Sequence, residues 1–260
     1  MMNVPPNGKQ AKRQKLFLQG FNFLPQISTD KHRWTQMDMN KTLEYNNQEV
    51  WISSGIVNLE GSLAQPENAR GIILFAHGSG SSRNSPRNQY VAQELNKAEF
   101  STLLFDLLTP DEESTDQESE DLRFNITFLA ERLVDATQWV AQNLDIQNIQ
   151  IGYFGASTGA AAALVAAAQF PDAVGAVVSR GGRPDLAGSS LSNVQAPTLL
   201  IVGEKDSPVI GMNQEALAQL SGEKKLEIVP GASHLFEEPG ALEEIAKMAR
   251  QWFEQYLVKS

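Results

Sequence analysis

Ser157 stands in Gly155-Ala-Ser157-Thr-Gly159, a G-x-S-x-G string that follows the apolar run Ile151-Gly-Tyr-Phe and leads into an alanine-rich stretch from Ala160. Such a string puts a serine on a sharp turn from strand to helix. The two glycines let backbone approach closely, so that the hydroxyl projects at the top of a sheet. The first N–H groups of the following helix then favour negative charge developing beside it. The string alone is a weak signal, and the strand before it and the helix after it are what raise it. A phosphate-cradling turn is the other use of such glycines, but neither G-x-G-x-x-G nor the Walker pattern is present in this stretch.

A serine hydroxyl needs a base to take its proton, and with no cysteine and three histidines the choice of partners is small. His32 lies in a polar N-terminal stretch. His77 ends an apolar strand immediately before Gly78-Ser79-Gly80, where backbone N–H donors are expected rather than a base. His234, in Gly231-Ala-Ser-His234-Leu-Phe, follows the last predicted strand at the ligand-binding end of the sheet and is the expected base. A carboxylate between Ser157 and His234 should hold the imidazole tautomer. Asp206, in Gly203-Glu-Lys-Asp206-Ser-Pro, follows a strand and a glycine-containing turn, in the chain order Ser, Asp, His. Asp185 and Glu204 compete for that role. An oxyanion hole is expected from the backbone N–H of Thr158 and an N–H of the loop His77-Gly-Ser-Gly-Ser-Ser82, with Ser79 as the donor and Gly80 as the alternate.

The elements that must position these groups read as alternating short apolar runs and helical stretches, the signature of an α/β sheet. Strands are predicted at 50–54 and 56–63 (an opening hairpin), 71–76, 101–105, 149–154, 173–179, 198–202 and 226–229. Helices are predicted at 86–98, 121–143, 160–168, 210–220 and 240–257. Most strands are apolar throughout, which implies a mainly parallel sheet of eight strands buried on both faces. Together with the chain order Ser, Asp, His this fits an α/β-hydrolase fold, and the short 180–197 segment leaves no room for a cap domain. The acidic run at 111–121, with seven acids in eleven residues, reads as a solvated loop and the start of the helix at 121. Residues 1–47 read as a poorly ordered extension and 48–260 as the catalytic domain.

Composition excludes several classes. A net charge of -10, from 21 basic and 31 acidic residues, argues against nucleic acid as a partner. No apolar run approaches the roughly 20 residues of a membrane helix, so no membrane partner is expected. The absence of cysteine removes disulfides and thiolate chemistry. A basic stretch before Leu16-Phe-Leu18 is too interrupted for a signal peptide, and the cytoplasm is the expected compartment.

Taken together, His77-Gly-Ser-Gly-Ser-Ser-Arg83-Asn-Ser-Pro-Arg87, Gly152-Tyr-Phe-Gly-Ala-Ser157-Thr-Gly, Ser179-Arg-Gly-Gly-Arg-Pro-Asp185 and Gly231-Ala-Ser-His234-Leu-Phe-Glu-Glu-Pro239 resemble the dienelactone hydrolase family. The likeness spans roughly 49–257. It implies hydrolysis of a small-molecule ester or lactone through an acyl-enzyme, with no cofactor and no metal. The enzymes that give the family its name use a cysteine nucleophile, whereas this chain has Ser157, so dienelactone is not carried over as the substrate.

Only residues 180–197 separate the strands on either side of a potential cap, which leaves an open site shaped by the loops 80–90, 109–122 and 180–195. Arg83, Arg87, Arg180 and Arg183 fall in these loops and are candidates to hold an anionic substrate, with Gly80 beside them; the alternative is that they pair with the 111–121 acids.

Overall fold

The computed structural model describes residues 46–144 and 150–258. The strands are β1 (Asn46–Ser54), β2 (Val57–Gln65), β3 (Gly71–Ala76), β4 (Phe100–Phe105), β5 (Gln150–Ala156), β6 (Val174–Arg180), β7 (Thr198–Gly203) and β8 (Lys224–Val229). They form one eight-stranded sheet in the order β1-β2-β4-β3-β5-β6-β7-β8. The hairpin β1–β2 is antiparallel and β2 joins β4 antiparallel; every other pairing is parallel. The predicted mainly parallel α/β sheet is therefore present.

Side chains alternate between two apolar layers because successive strand residues face opposite ways. Ile73 and Phe75 of β3 pack under α1 (Pro86–Lys97) and α6 (Ala241–Leu257). Ile72 and Leu74 pack on the other face, under α3 (Ile126–Asn143), α4 (Thr158–Gln169) and α5 (Ser207–Gln219). The inner strands β3, β4 and β7 are buried from end to end. The edges are not: Trp51 of β1 is exposed, and β8 opens with exposed Lys224 and Lys225. Charged residues on an edge strand discourage further pairing.

Three expectations are corrected. The acidic run is not a loop but a helix, α2 (Pro110–Ser119), opened by a capping box in which the Thr109 side chain accepts from Glu112 N–H at 3.2 Å and the Glu112 carboxylate accepts from Thr109 N–H at 2.8 Å. It ends at Glu120 in a left-handed conformation (φ 56°). The next helix then begins at Ile126 rather than 121, because Asn125 caps it by accepting Phe128 N–H at 3.2 Å. The segment Pro184–Asn193, predicted as loop, coils into 3₁₀ turns. The expected extension 1–47 lies outside the described residues except for Asn46 and Asn47, which open β1, and residue 149, the expected start of β5, lies outside them too. Among the described residues no helix is long and apolar enough to cross a membrane.

Candidate active site

Ser157 is the residue between β5 and α4, with φ 50° and ψ -121°. A positive φ on a serine is strained, and the surroundings impose it. A methyl group added at Gly159 would stand 2.2 Å from the Ala76 carbonyl oxygen, and one at Gly155 would stand 2.4 Å from Ala160 Cα. Only glycine fits at either place. The turn is pinned by Ser157 N–H donating to the Arg180 carbonyl at 3.3 Å and by Arg183 N–H donating to the Ser157 carbonyl at 3.1 Å.

Ser157 occupies the N-cap position of α4, and Asp206 occupies that of α5, yet neither side chain caps its helix. Serine and aspartate at an N-cap ordinarily accept N–H groups of the first turn. Here both side chains are left to do something else. For Asp206 the alternative partner is His234: Oδ2 meets Nδ1 at 2.5 Å, with the carboxylate largely buried. An imidazole held through Nδ1 presents Nε2 as its proton-accepting atom.

The loop that carries His234 is fastened from several sides. Glu204 Oε2 accepts Gly231 N–H at 2.7 Å, Lys205 N–H donates to the Ala232 carbonyl at 2.9 Å, and Glu238 accepts Ser233 N–H through both oxygens at 3.0 Å. The Ser233 N–H bond holds the Glu238 carboxyl below the usual carboxylate range. Glu204 is thus spent on bracing the loop, and Asp185 is spent on Arg183, in a two-pronged pair at 2.9 and 2.7 Å. Of the three carboxylates considered from sequence, Asp206 is the one that reaches the imidazole. His234 in turn lies against the Arg180–Gly181 backbone that receives Ser157: a methyl on Gly181 would stand 3.6 Å from His234 Cε1.

On the other side of Ser157 runs the loop after β3. A methyl on Gly78 would stand 2.9 Å from Ser157 Cβ. Ser79 N–H donates to Thr158 Oγ1 at 3.0 Å, so the two expected oxyanion donors are joined directly. Gly80 follows at the exposed tip with φ 69°. His77 is buried, accepts Leu107 N–H on Nε2 at 3.0 Å, and pairs Nδ1 with the Gly78 carbonyl at 2.9 Å. An acceptor at Nε2 and a donor at Nδ1 describe a neutral ring, and burial pushes its pKa down despite the Gly78 carbonyl and Asp106. His77 ties the ends of β3 and β4 together.

The four arginines divide. Arg83 pairs with Asp106 and, at 2.6 Å, with Glu60. Arg183 pairs with Asp185 as described. Among the described residues none of the four pairs with the 111–121 acids; of those acids, Asp116 accepts Arg123 Nε at 2.6 Å and Glu112 accepts from Arg132 at 2.6 Å. Arg180 is different. It is 7% exposed, its one side-chain bond goes to Asn88 Oδ1 at 3.2 Å, and its Nε has no partner among the described residues. Burial and the neighbouring Arg87 guanidinium lower its pKa to about 10. Arg87, at the start of α1, also has a buried Nε without a partner among the described residues, and meets Glu237 at 3.4 Å. Sequence reasoning named both arginines but had no signal that the Arg87 charge would reach Arg180, since their separation along the chain says nothing about proximity.

A cavity of about 560 Å³ opens beside the Ser157 turn, lined by Gly78, Ser79 and Thr158 on one side and by α2 on the other. A second, of about 630 Å³, lies at the opposite end of the sheet, between the starts of β5, β6 and β7. Among the described residues no group of three or more His, Asp or Glu side chains converges to hold a metal ion.

The family model of the dienelactone hydrolase family matches residues 59–257. A dienelactone hydrolase from Anabaena variabilis ATCC 29413, known by crystal structure, is 59% identical, with a TM-score of 0.80 over 82% of this chain and 99% of that one. A protein of Mycobacterium tuberculosis (strain ATCC 25618 / H37Rv), provisionally named a phosphoribosyl transferase, is 56% identical over 211 residues, which are 81% of this chain and 47% of the relative. The chain thus spans about half the length of that relative. The ferulic-acid complex of Est1E from Butyrivibrio proteoclasticus shares the fold at 16% identity and a TM-score of 0.67, over 80% of this chain and 98% of that one. With its sheet order, its serine turn and a family match over most of its length, the chain belongs to the dienelactone hydrolase family.

Proposed function

We propose that this hydrolase cleaves a carboxylic ester or lactone through an acyl-enzyme on Ser157, with His234 as general base and acid and Asp206 as the carboxylate that orients it. The observation that carries this reading is the 2.5 Å contact between Asp206 and His234, made by an N-cap aspartate that leaves its own helix uncapped.

His234 Nε2 takes the Ser157 proton as Oγ adds to the carbonyl carbon, and Asp206 stabilises the imidazolium. The oxyanion is met by the Thr158 N–H and by a donor from the 77–82 loop. Ser79 N–H is held by the Thr158 hydroxyl in the resting site, so its use requires that hydroxyl to yield; Gly80 N–H is the alternate. Collapse breaks the ester C–O bond, and the alcohol leaves with the proton from His234. Water then gives a proton to His234 and its oxygen to the acyl carbon, and Ser157 departs with that proton as the acid is released.

We further propose that the substrate carries an anionic group held by Arg180 and Arg87. A buried guanidinium beside another cation and with no carboxylate is costly to keep, and an anion between the two would relieve that cost. Acyl transfer to an alcohol or amine, or peptide cleavage, would use the same steps as far as the acyl-enzyme, and product analysis with a competing alcohol or amine separates these from hydrolysis. Loss of catalysis with retention as a binding module is the remaining alternative. The transferase name belongs to a relative of which this chain matches about half, and no transferase step is assigned here. The test is turnover of p-nitrophenyl acetate by the wild type and by Ser157→Ala. The expected result is p-nitrophenol release by the wild type that is lost in the variant; no release by well-folded wild type, or equal release by both, contradicts hydrolysis at Ser157.

A further inference from the structure

The cavity beside Ser157 has a wall that the catalytic reading leaves unused. Its α2 side presents Glu113 and Gln117, and its loop side presents Ser81, Asn84 and Arg87. The side chains of Ser81, Asn84, Glu113 and Gln117 make no hydrogen bond to another described residue, and the Arg87 Nε has none either. Donors and acceptors thus line one space from two elements; Asn84, Glu113 and Gln117 are exposed there and face solvent, while the Arg87 Nε is buried. The space is of ordinary ligand size, since pockets for small molecules run to roughly 300–1,000 Å³.

The charges on the two walls differ. Arg87 brings a cation on the loop side. On the α2 side, burial and Asp106 push the Glu113 carboxyl up, with Asp116 adding to them and Arg123 opposing. Arg123 also lines this side but is paired with Asp116, so an anion is disfavoured along α2. A long alkyl chain could reach Leu107, Leu108 and Leu129 but would strip solvent from five polar groups without replacing their bonds. Hydroxyl groups, which both donate and accept, suit such a wall.

We propose that this cavity binds a hydroxyl-rich part of the ester, of sugar or polyol type, with Glu113 and Gln117 of α2 as specificity-determining residues. This rests on the hydrolase reading above. It gives the acidic helix a place in recognition that its charge density alone does not suggest.

The test uses two matched ester pairs on the full chain: 6-O-acetylglucose against hexyl acetate, which varies the alcohol, and methyl gluconate against methyl hexanoate, which varies the acyl group. In at least one pair the hydroxylated ester is expected to show a kcat/KM at least tenfold above its alkyl partner. In that pair the double variant Glu113→Leu with Gln117→Leu should erase the preference, chiefly through KM. The ratio is measured within one preparation, so a smaller folded fraction cancels. Equal or alkyl-favouring rates in both pairs, or a preference that survives the double variant, overturn the proposal while p-nitrophenyl acetate turnover still upholds the hydrolase. Loss of that turnover in wild type overturns the hydrolase reading, and the proposal with it.

Discussion

The two sides of Ser157 are built on opposite plans. Toward β7 and β8 the carboxylates around the His234 loop have partners: Asp206 holds His234 at 2.5 Å, and Glu204 and Glu238 fasten the loop. Toward α1 and α2, Arg180 and Arg87 each bury an Nε with no partner among the described residues, and a cavity of about 560 Å³ is lined by polar side chains of the 81–87 loop and α2. A buried polar group without a partner is expensive, and one beside a cavity can be completed from outside the chain. On the proposed reading, the first side holds the reacting groups and the second supplies the surface that selects the substrate.

That contrast can be broken first on the chemical side. Asp206→Asn should retain the fold and lower kcat by on the order of 10⁴, because the amide favours the wrong imidazole tautomer. Steady-state rates on p-nitrophenyl acetate beside a urea titration check it, and a loss of less than tenfold would remove Asp206 from the reacting group. The strained turn is next. Gly159→Ala drives a methyl to within 2.2 Å of the Ala76 carbonyl and should cost about 3 kcal/mol, read from the urea midpoint at constant slope.

On the recognition side, stability and activity should part company. Arg180→Met removes a buried cation whose Nε is unpaired, so stability should change by no more than about 1 kcal/mol in the unfavourable direction. Turnover of an anionic ester such as a methyl hemisuccinate should nevertheless fall about 10- to 100-fold relative to methyl acetate, the worth of a charge-assisted bond. A large loss of stability with no change in that ratio would make Arg180 a structural residue.

The smallest effect is on pH dependence. His77 has its folded pKa lowered by burial, so the unfolded chain binds the proton more readily. Its contribution is complete above an unfolded pKa near 6.5 and is lost as the pH falls below that value toward the folded one. Between pH 7 and 5 the wild type should lose more stability than His77→Gln, as followed by thermal midpoints.

Much of this was legible in the chain because it was local. Strand, turn and helix around Ser157 lie within twenty residues, and the order of Ser157, Asp206 and His234 needs no contact information. The eight strands were readable where both faces are apolar; β8 was read two residues short because its edge position lets Lys224 and Lys225 replace the apolar signal. The helix α2 carried its own marker, Thr109 followed three residues on by Glu112, but a density of seven acids obscured it. The partners of Arg83 and Arg180 were beyond reach, since Asp106 and Asn88 stand 23 and 92 positions away and only the folded sheet brings them together.

The central claim is that Ser157 is a nucleophile made reactive by His234 and Asp206. Intact-mass analysis after exposure to a fluorophosphonate probe tests it most directly, on the wild type, Ser157→Ala and His234→Ala. One adduct on the wild type, mapped to Ser157, with none on Ser157→Ala and far slower labelling of His234→Ala, is the predicted result. A folded wild type that takes no adduct, or one that takes it equally without Ser157, contradicts the account.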